Sequence, residues 1–92
     1  MKKSIVGLVG SIFVTTQAFG AFTPTQLISA SQIAIADFEV ANPDHAVHFT
    51  GFKSWKTGED AKVKIYVDHD GHAMEFNYLC HKHDNELECH AN

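Results

Sequence analysis

Two cysteines, Cys80 and Cys89, stand at equal distances on either side of an Asp84-Asn85 dipeptide, and this spacing constrains the fold more tightly than any other feature of the chain. Asp and Asn tolerate the left-handed backbone conformation that a two-residue hairpin turn demands. If the turn sits there, His83 faces Glu86, Lys82 faces Leu87, His81 faces Glu88, and Cys80 faces Cys89. The pairs alternate outward from a hydrogen-bonded closing pair, so the cysteines meet at a non-hydrogen-bonded position, where side chains approach most closely. A disulfide is expected there, worth about 2–3 kcal/mol for so short a loop.

The preceding segment passes the same test. With a turn at Asp70-Gly71, Val67 opposes Met74, Ile65 opposes Phe76 and Val63 opposes Tyr78, all apolar. The other face then carries Tyr66 with Glu75 and Lys64 with Asn77, as expected for a sheet buried on one side. Cys80 continues the apolar face, so the two hairpins agree in phase.

Upstream the pattern is helical. Thr23-Pro24-Thr25-Gln26 supplies a cap, a proline for the first helical position and a capping-box partner. Leu27, Ile28, Ala30, Ala34, Ile35 and Phe38 then share a face at 100° per residue until Asn42-Pro43 ends the run after about Val40. Strands are predicted at about Val47 to Trp55, Ala61 to Asp68, Ala73 to Lys82 and Glu86 to His90. In the first of these Phe49 and Trp55 differ in parity from Phe52, which calls for a bulge near Gly51 or a strand with two apolar faces. The expected architecture is α+β: one N-terminal amphipathic helix packed on a three- to four-stranded antiparallel meander sheet, with the C-terminal hairpin stapled by the disulfide. This plan resembles, in architecture alone, the helix-on-sheet arrangement of cystatin-like and PepSY-type domains; no motif of either family is present, so the likeness implies no function.

The N-terminal residues and the charge balance bear on location. Lys2 and Lys3 precede a short apolar run, Ile5 to Val14, and small residues at Ala18 and Gly20 suit a signal-peptidase site. Residues 1–20 therefore read as a cleavable signal peptide, with cleavage before Ala21, and 21–92 as a single small domain. The apolar run is shorter than a bilayer requires, so no membrane span is expected after processing. A periplasmic or secreted destination also suits the disulfide, because thiols oxidise there. Removing Lys2 and Lys3 leaves five lysines, no arginine and eleven acids, a formal charge of about −6, which disfavours nucleic acid as a partner. Seven histidines remain, and protonating all of them would take the formal charge from about −6 to about +1.

Chemistry concentrates on the face opposite the disulfide. His81 and His83 project together from one strand, with Glu88, Glu86 and His90 on the neighbouring strand of the same face. Imidazole with carboxylate suits zinc, copper or nickel, and His81, His83, His90 and Glu88 are the candidate ligands. His69 and His72, facing each other across the Asp70-Gly71 turn, are a weaker candidate pair. The Asp68-His69-Asp70-Gly71 segment is no calcium loop, since alignment on the glycine puts Tyr66 at the first ligand position. Strand alternation turns Cys80 away from His81 and His83, which argues against a mixed thiolate site, and no C-x-x-C redox pair is present.

On strand one, at least two of Phe49, Phe52 and Trp55 are expected in the core, with any remainder forming an apolar recognition surface. No nucleophile motif or phosphate loop is present, so no enzyme is expected and no cofactor is required. Two roles follow: a non-catalytic binding, inhibitory or accessory module for an envelope or extracellular protein partner, and, as the alternative, a histidine-rich module for a transition metal.

Overall fold

In the computed structural model, which describes residues 22–92, the first element is set by the cap that the sequence encodes. Thr23 Oγ1 accepts from the Gln26 backbone N–H at 3.1 Å, and Gln26 Oε1 accepts from the Thr23 N–H at 3.0 Å. With Pro24 in the first turn, helix α1 runs over Pro24–Ala41. The signal segment expected at Met1 to Gly20 lies outside the described residues.

Asn42 ends α1 by donating its backbone N–H to Phe38 O at 2.8 Å. Proline then does more than stop the helix. Pro43 has the fixed φ that suits a first helical turn, and a one-turn helix α2, Pro43–Ala46, follows, with the Ala46 N–H bonded to Asn42 O at 2.9 Å. The first strand therefore begins at Phe49 rather than near Val47.

Four strands complete the fold: β1 (Phe49–Thr57), β2 (Asp60–His69), β3 (His72–His83) and β4 (Glu86–Ala91). They form one antiparallel sheet in the order β1-β2-β3-β4, with α1 packed on one face. Both expected hairpin registers are present, including Ile65 opposite Phe76 and Cys80 opposite Cys89. Their turns have left-handed φ at both central residues, Asp70 (56°) with Gly71 (83°) and Asp84 (54°) with Asn85 (69°). That geometry matches the native twist of the flanking strands, which is why these short polar dipeptides fix the register. The disulfide joins Cys80 to Cys89 across Cα atoms 4.0 Å apart, the close approach expected of a non-hydrogen-bonded pair.

Strand β1 carries the bulge. Phe49 pairs with Val67 and Gly51 with Tyr66, leaving Thr50 extra. The shift places Phe49 and Phe52 on the helix face and Trp55 on the opposite one. None of the three is a core residue: they are 43%, 46% and 37% exposed. Burial of at least two of them, expected from their apolar character, fails because β1 is an edge strand that α1 covers only in part.

The core lies between α1 and the inner strands. Phe22, Ala30, Ala34 and Phe38 meet Ala61, Val63, Ile65, Val67, Tyr78 and Cys80. Small residues at 30 and 34 let the helix approach the disulfide, whose sulfurs lie 3.3 Å and 3.9 Å from Ala30 O. Two details of the apolar stripe differ from expectation. Ile28 is 62% exposed, while Ser31 is buried and satisfies its hydroxyl by donating to Leu27 O at 2.9 Å. The stripe is centred on positions 27, 31, 34 and 38, so Ile28 sits about 100° to one side of it. Met74, expected to face the core opposite Val67, is substantially exposed near the β2–β3 turn.

Two side-chain pairs join the helix to the sheet across the seam, Lys82 Nζ with Gln26 Oε1 at 3.4 Å and Tyr78 with Asp37. The Tyr78 hydroxyl donates to Asp37 Oδ2 at 2.8 Å. Burial first, then this bond and the nearby carboxylate charge, push the phenol up from 10.0 to about 12. The folded state thus holds a proton that the unfolded chain releases earlier. Its contribution is whole below pH 10.0 and is lost as pH rises towards about 12. Tyr78→Phe should reduce the fall in stability across that window, and should cost about 1 kcal/mol at neutral pH. Urea denaturation at stepped alkaline pH measures both, and an unchanged alkaline slope would contradict the account.

Candidate functional site

Alternation along β3 turns Cys80 inward and His81 outward, and the same rule on β4 turns Cys89 inward with Glu88 and His90 outward. The disulfide and the polar cluster are therefore the two sides of one hairpin. The register sets His81 opposite Glu88 and Leu79 opposite His90, which makes His90 a diagonal neighbour of His81.

Side chains converge on one carboxylate oxygen. Glu88 Oε1 lies 3.5 Å from His90 Nε2, 3.7 Å from His81 Nε2 and 4.0 Å from His83 Nδ1. The His81 and His90 rings stack obliquely, with centroids 5.2 Å apart and planes at 27°. One donor atom from each of His81, Glu88 and His90 falls within a 4.8 Å span, and this is the single such group among the described residues. His83 is peripheral: its Nε2 lies 3.8 Å from Asp84 Oδ2 at the turn. Glu86 keeps its register position opposite His83.

These separations have a chemical reading. Charge-assisted N–H···O bonds close to about 2.7–2.9 Å, shorter than either contact to His81 or His90. A tetrahedral zinc ion with bonds of about 2.0–2.1 Å instead holds its ligand atoms roughly 3.3 Å apart. The Glu88 to His90 and Glu88 to His81 separations are close to that edge length. Two imidazoles and one carboxylate with donor atoms within 4.8 Å of one another are a ligand set that zinc accepts.

The weaker histidine pair has a different environment. His69 and His72 face each other at the β2–β3 turn, as the register required. A residue that the sequence reading did not associate with them, His48, stacks on His69 with centroids 4.0 Å apart and planes at 11°. This stack is closer to parallel than the 27° of His81 and His90, and among the described residues no third donor joins it to make a three-donor group. His69 Nε2 lies 3.4 Å from Asp70 Oδ2. Nothing in the local sequence signals the His48 contact, because it depends on α2 and the β1 bulge together.

The open face has a second half. Trp55 pairs with Lys62, and Lys53 with Lys64, on β1 and β2. Lys53 Nζ lies 5.4 Å from the Trp55 ring centre, and Lys64 reaches Glu75 at 3.1 Å. The β1 register sets Trp55 among these lysines and apart from Phe49 and Phe52.

No protein-family model matches the chain, and no curated protein or solved structure does so either. Among the described residues, no helix is long and apolar enough to cross a membrane.

Proposed function

We propose that this protein is an exported, non-catalytic module that binds a transition-metal ion of the zinc, copper or nickel group through His81, Glu88 and His90. The observation that carries the reading is the placement of Glu88 Oε1 at 3.5 Å and 3.7 Å from two imidazole nitrogens, near the edge of a tetrahedral coordination shell. On sequence alone a protein-partner role stands ahead of metal binding; the convergence of three donors reverses that order. Export is supported by the signal-like Met1 to Gly20 segment, and the disulfide is compatible with an oxidising periplasmic or extracellular location.

Calorimetric titration of the purified protein with zinc and with copper tests the reading. One ion should bind per chain, with a dissociation constant tighter than about 1 μM. His83→Ala should weaken this by only a few-fold, because His83 stands at the rim. Affinity should fall on acidification, since imidazole must be unprotonated to ligate. Absence of saturable binding at that level would sink the proposal.

A second reading, a partner-binding or inhibitory module, is favoured by one observation. Val40 at the end of α1, Val47 after α2, and Phe49 and Phe52 on the β1 edge are all exposed. An unpaired edge strand with apolar side chains suits strand addition by an envelope or extracellular protein. A partner captured by the wild-type protein and lost with Phe49→Ser and Phe52→Ser together would support it; equal capture by both would remove it.

A further inference from the structure

Three of the chain's seven lysines surround its one tryptophan on the open sheet face. Lys62 stands directly across from Trp55, Lys53 lies over the indole at 5.4 Å, and Lys64 is directly opposite Lys53. Like charges in directly opposed positions destabilise a sheet, so the Lys53–Lys64 pairing is a local cost that the fold does not require. The chain carries a formal charge of −4; Glu75 engages Lys64, and Asp60 shares the open face two residues before Lys62. Among the described residues Lys62 has no ion-pair partner.

The surface there is also concave. A depression of about 230 Å³ is lined by Trp55, Lys62, Lys64, Asn77, Tyr78 and Asn92. It combines a flat apolar ring, ammonium groups at its rim and the side-chain amide of Asn77, which both donates and accepts. We propose that this depression binds a small carboxylated sugar, its ring against the Trp55 indole and its carboxylate held by Lys62 and Lys64.

Each part of that ligand answers a feature of the site. An inorganic anion would use the lysines and leave the indole idle, whereas a neutral sugar would leave Lys62 unpaired. A long polyanion is repelled by the acidic remainder of the surface, so the ligand is short. The site is separate from the histidine cluster. The row Trp55–Lys62–Leu79–His90 runs across all four strands, which puts Trp55 roughly 14 Å from His90 at the usual strand spacing.

Trp55 reports on its own site, because it is the chain's single tryptophan. Fluorescence titration in metal-free buffer with glucuronic acid and its short oligomers should give a saturable change below about 10 mM, weakened by added salt. Lys62→Ala should weaken binding about tenfold, and glucose should give no saturable change. The same titrations read by backbone amide shifts should centre on β1 and β2. The inference is overturned if glucuronate gives no saturable change, if glucose matches it, if inorganic phosphate binds equally well, or if Lys62→Ala binds as the wild type does.

Discussion

Phe38→Ala is expected to leave the protein largely unfolded at room temperature. Phe38 is 1% exposed and its ring meets that of Phe76 with centroids 5.0 Å apart, in the layer between α1 and the sheet. Truncating a buried phenylalanine costs about 3–5 kcal/mol, as much as the whole core of so small a domain supplies. Ile28→Ala removes a comparable apolar side chain from the same helix, but its 62% exposure confines the loss to about 0.5 kcal/mol. Urea denaturation followed by circular dichroism separates the two. A Phe38→Ala midpoint no lower than that of Ile28→Ala would show that the helix–sheet core has been misjudged.

Replacing Cys80 and Cys89 together by alanine is expected to damage stability and metal binding at once. The direct loss is about 2–3 kcal/mol from releasing the loop, with a smaller cost from the space left beneath Ala30. The consequence for the site follows from adjacency: Cys80 precedes His81, Cys89 precedes His90, and the covalent link fixes the register that sets His81 against Glu88. Because β4 is an edge strand, the hairpin frays more readily once the link is gone. Zinc affinity should fall at least tenfold even where circular dichroism shows the domain still folded, since ordering the hairpin then draws on binding energy. By linkage, zinc should stabilise the variant. Unchanged affinity in a folded double variant would separate the staple from the site.

Most of the sheet is legible in the sequence because its two decisive turns use residues that accept left-handed φ, and a period of two then assigns every side chain to a face. The same period of two puts His81, Glu88 and His90 on one face. It worked less well where long-range packing decides. The β1 register depends on the extra residue at Thr50, and the exposure of Phe49 and Phe52 depends on how far α1 reaches over an edge strand. Ser31 reads as polar, yet it lies within the buried stripe because its hydroxyl returns to Leu27 O. The Asn42-Pro43 stop also opens α2, since proline ends one helix and suits the start of another. His48 stacks on His69 only because α2 and the bulge place it there, and the Trp55 depression emerges only after the bulge has separated Trp55 from its aromatic neighbours.

The central claim is that a metal ion sits on the stapled hairpin, and imidazole nitrogen resonances recorded by two-dimensional NMR during a zinc titration test it most directly. At one equivalent of zinc, the His81 and His90 resonances should move together to metal-bound positions, those of His83 should shift slightly, and those of His48, His69 and His72 should stay in place. Shifts centred on His48 and His69, or equal small shifts across all seven histidines, would contradict the account.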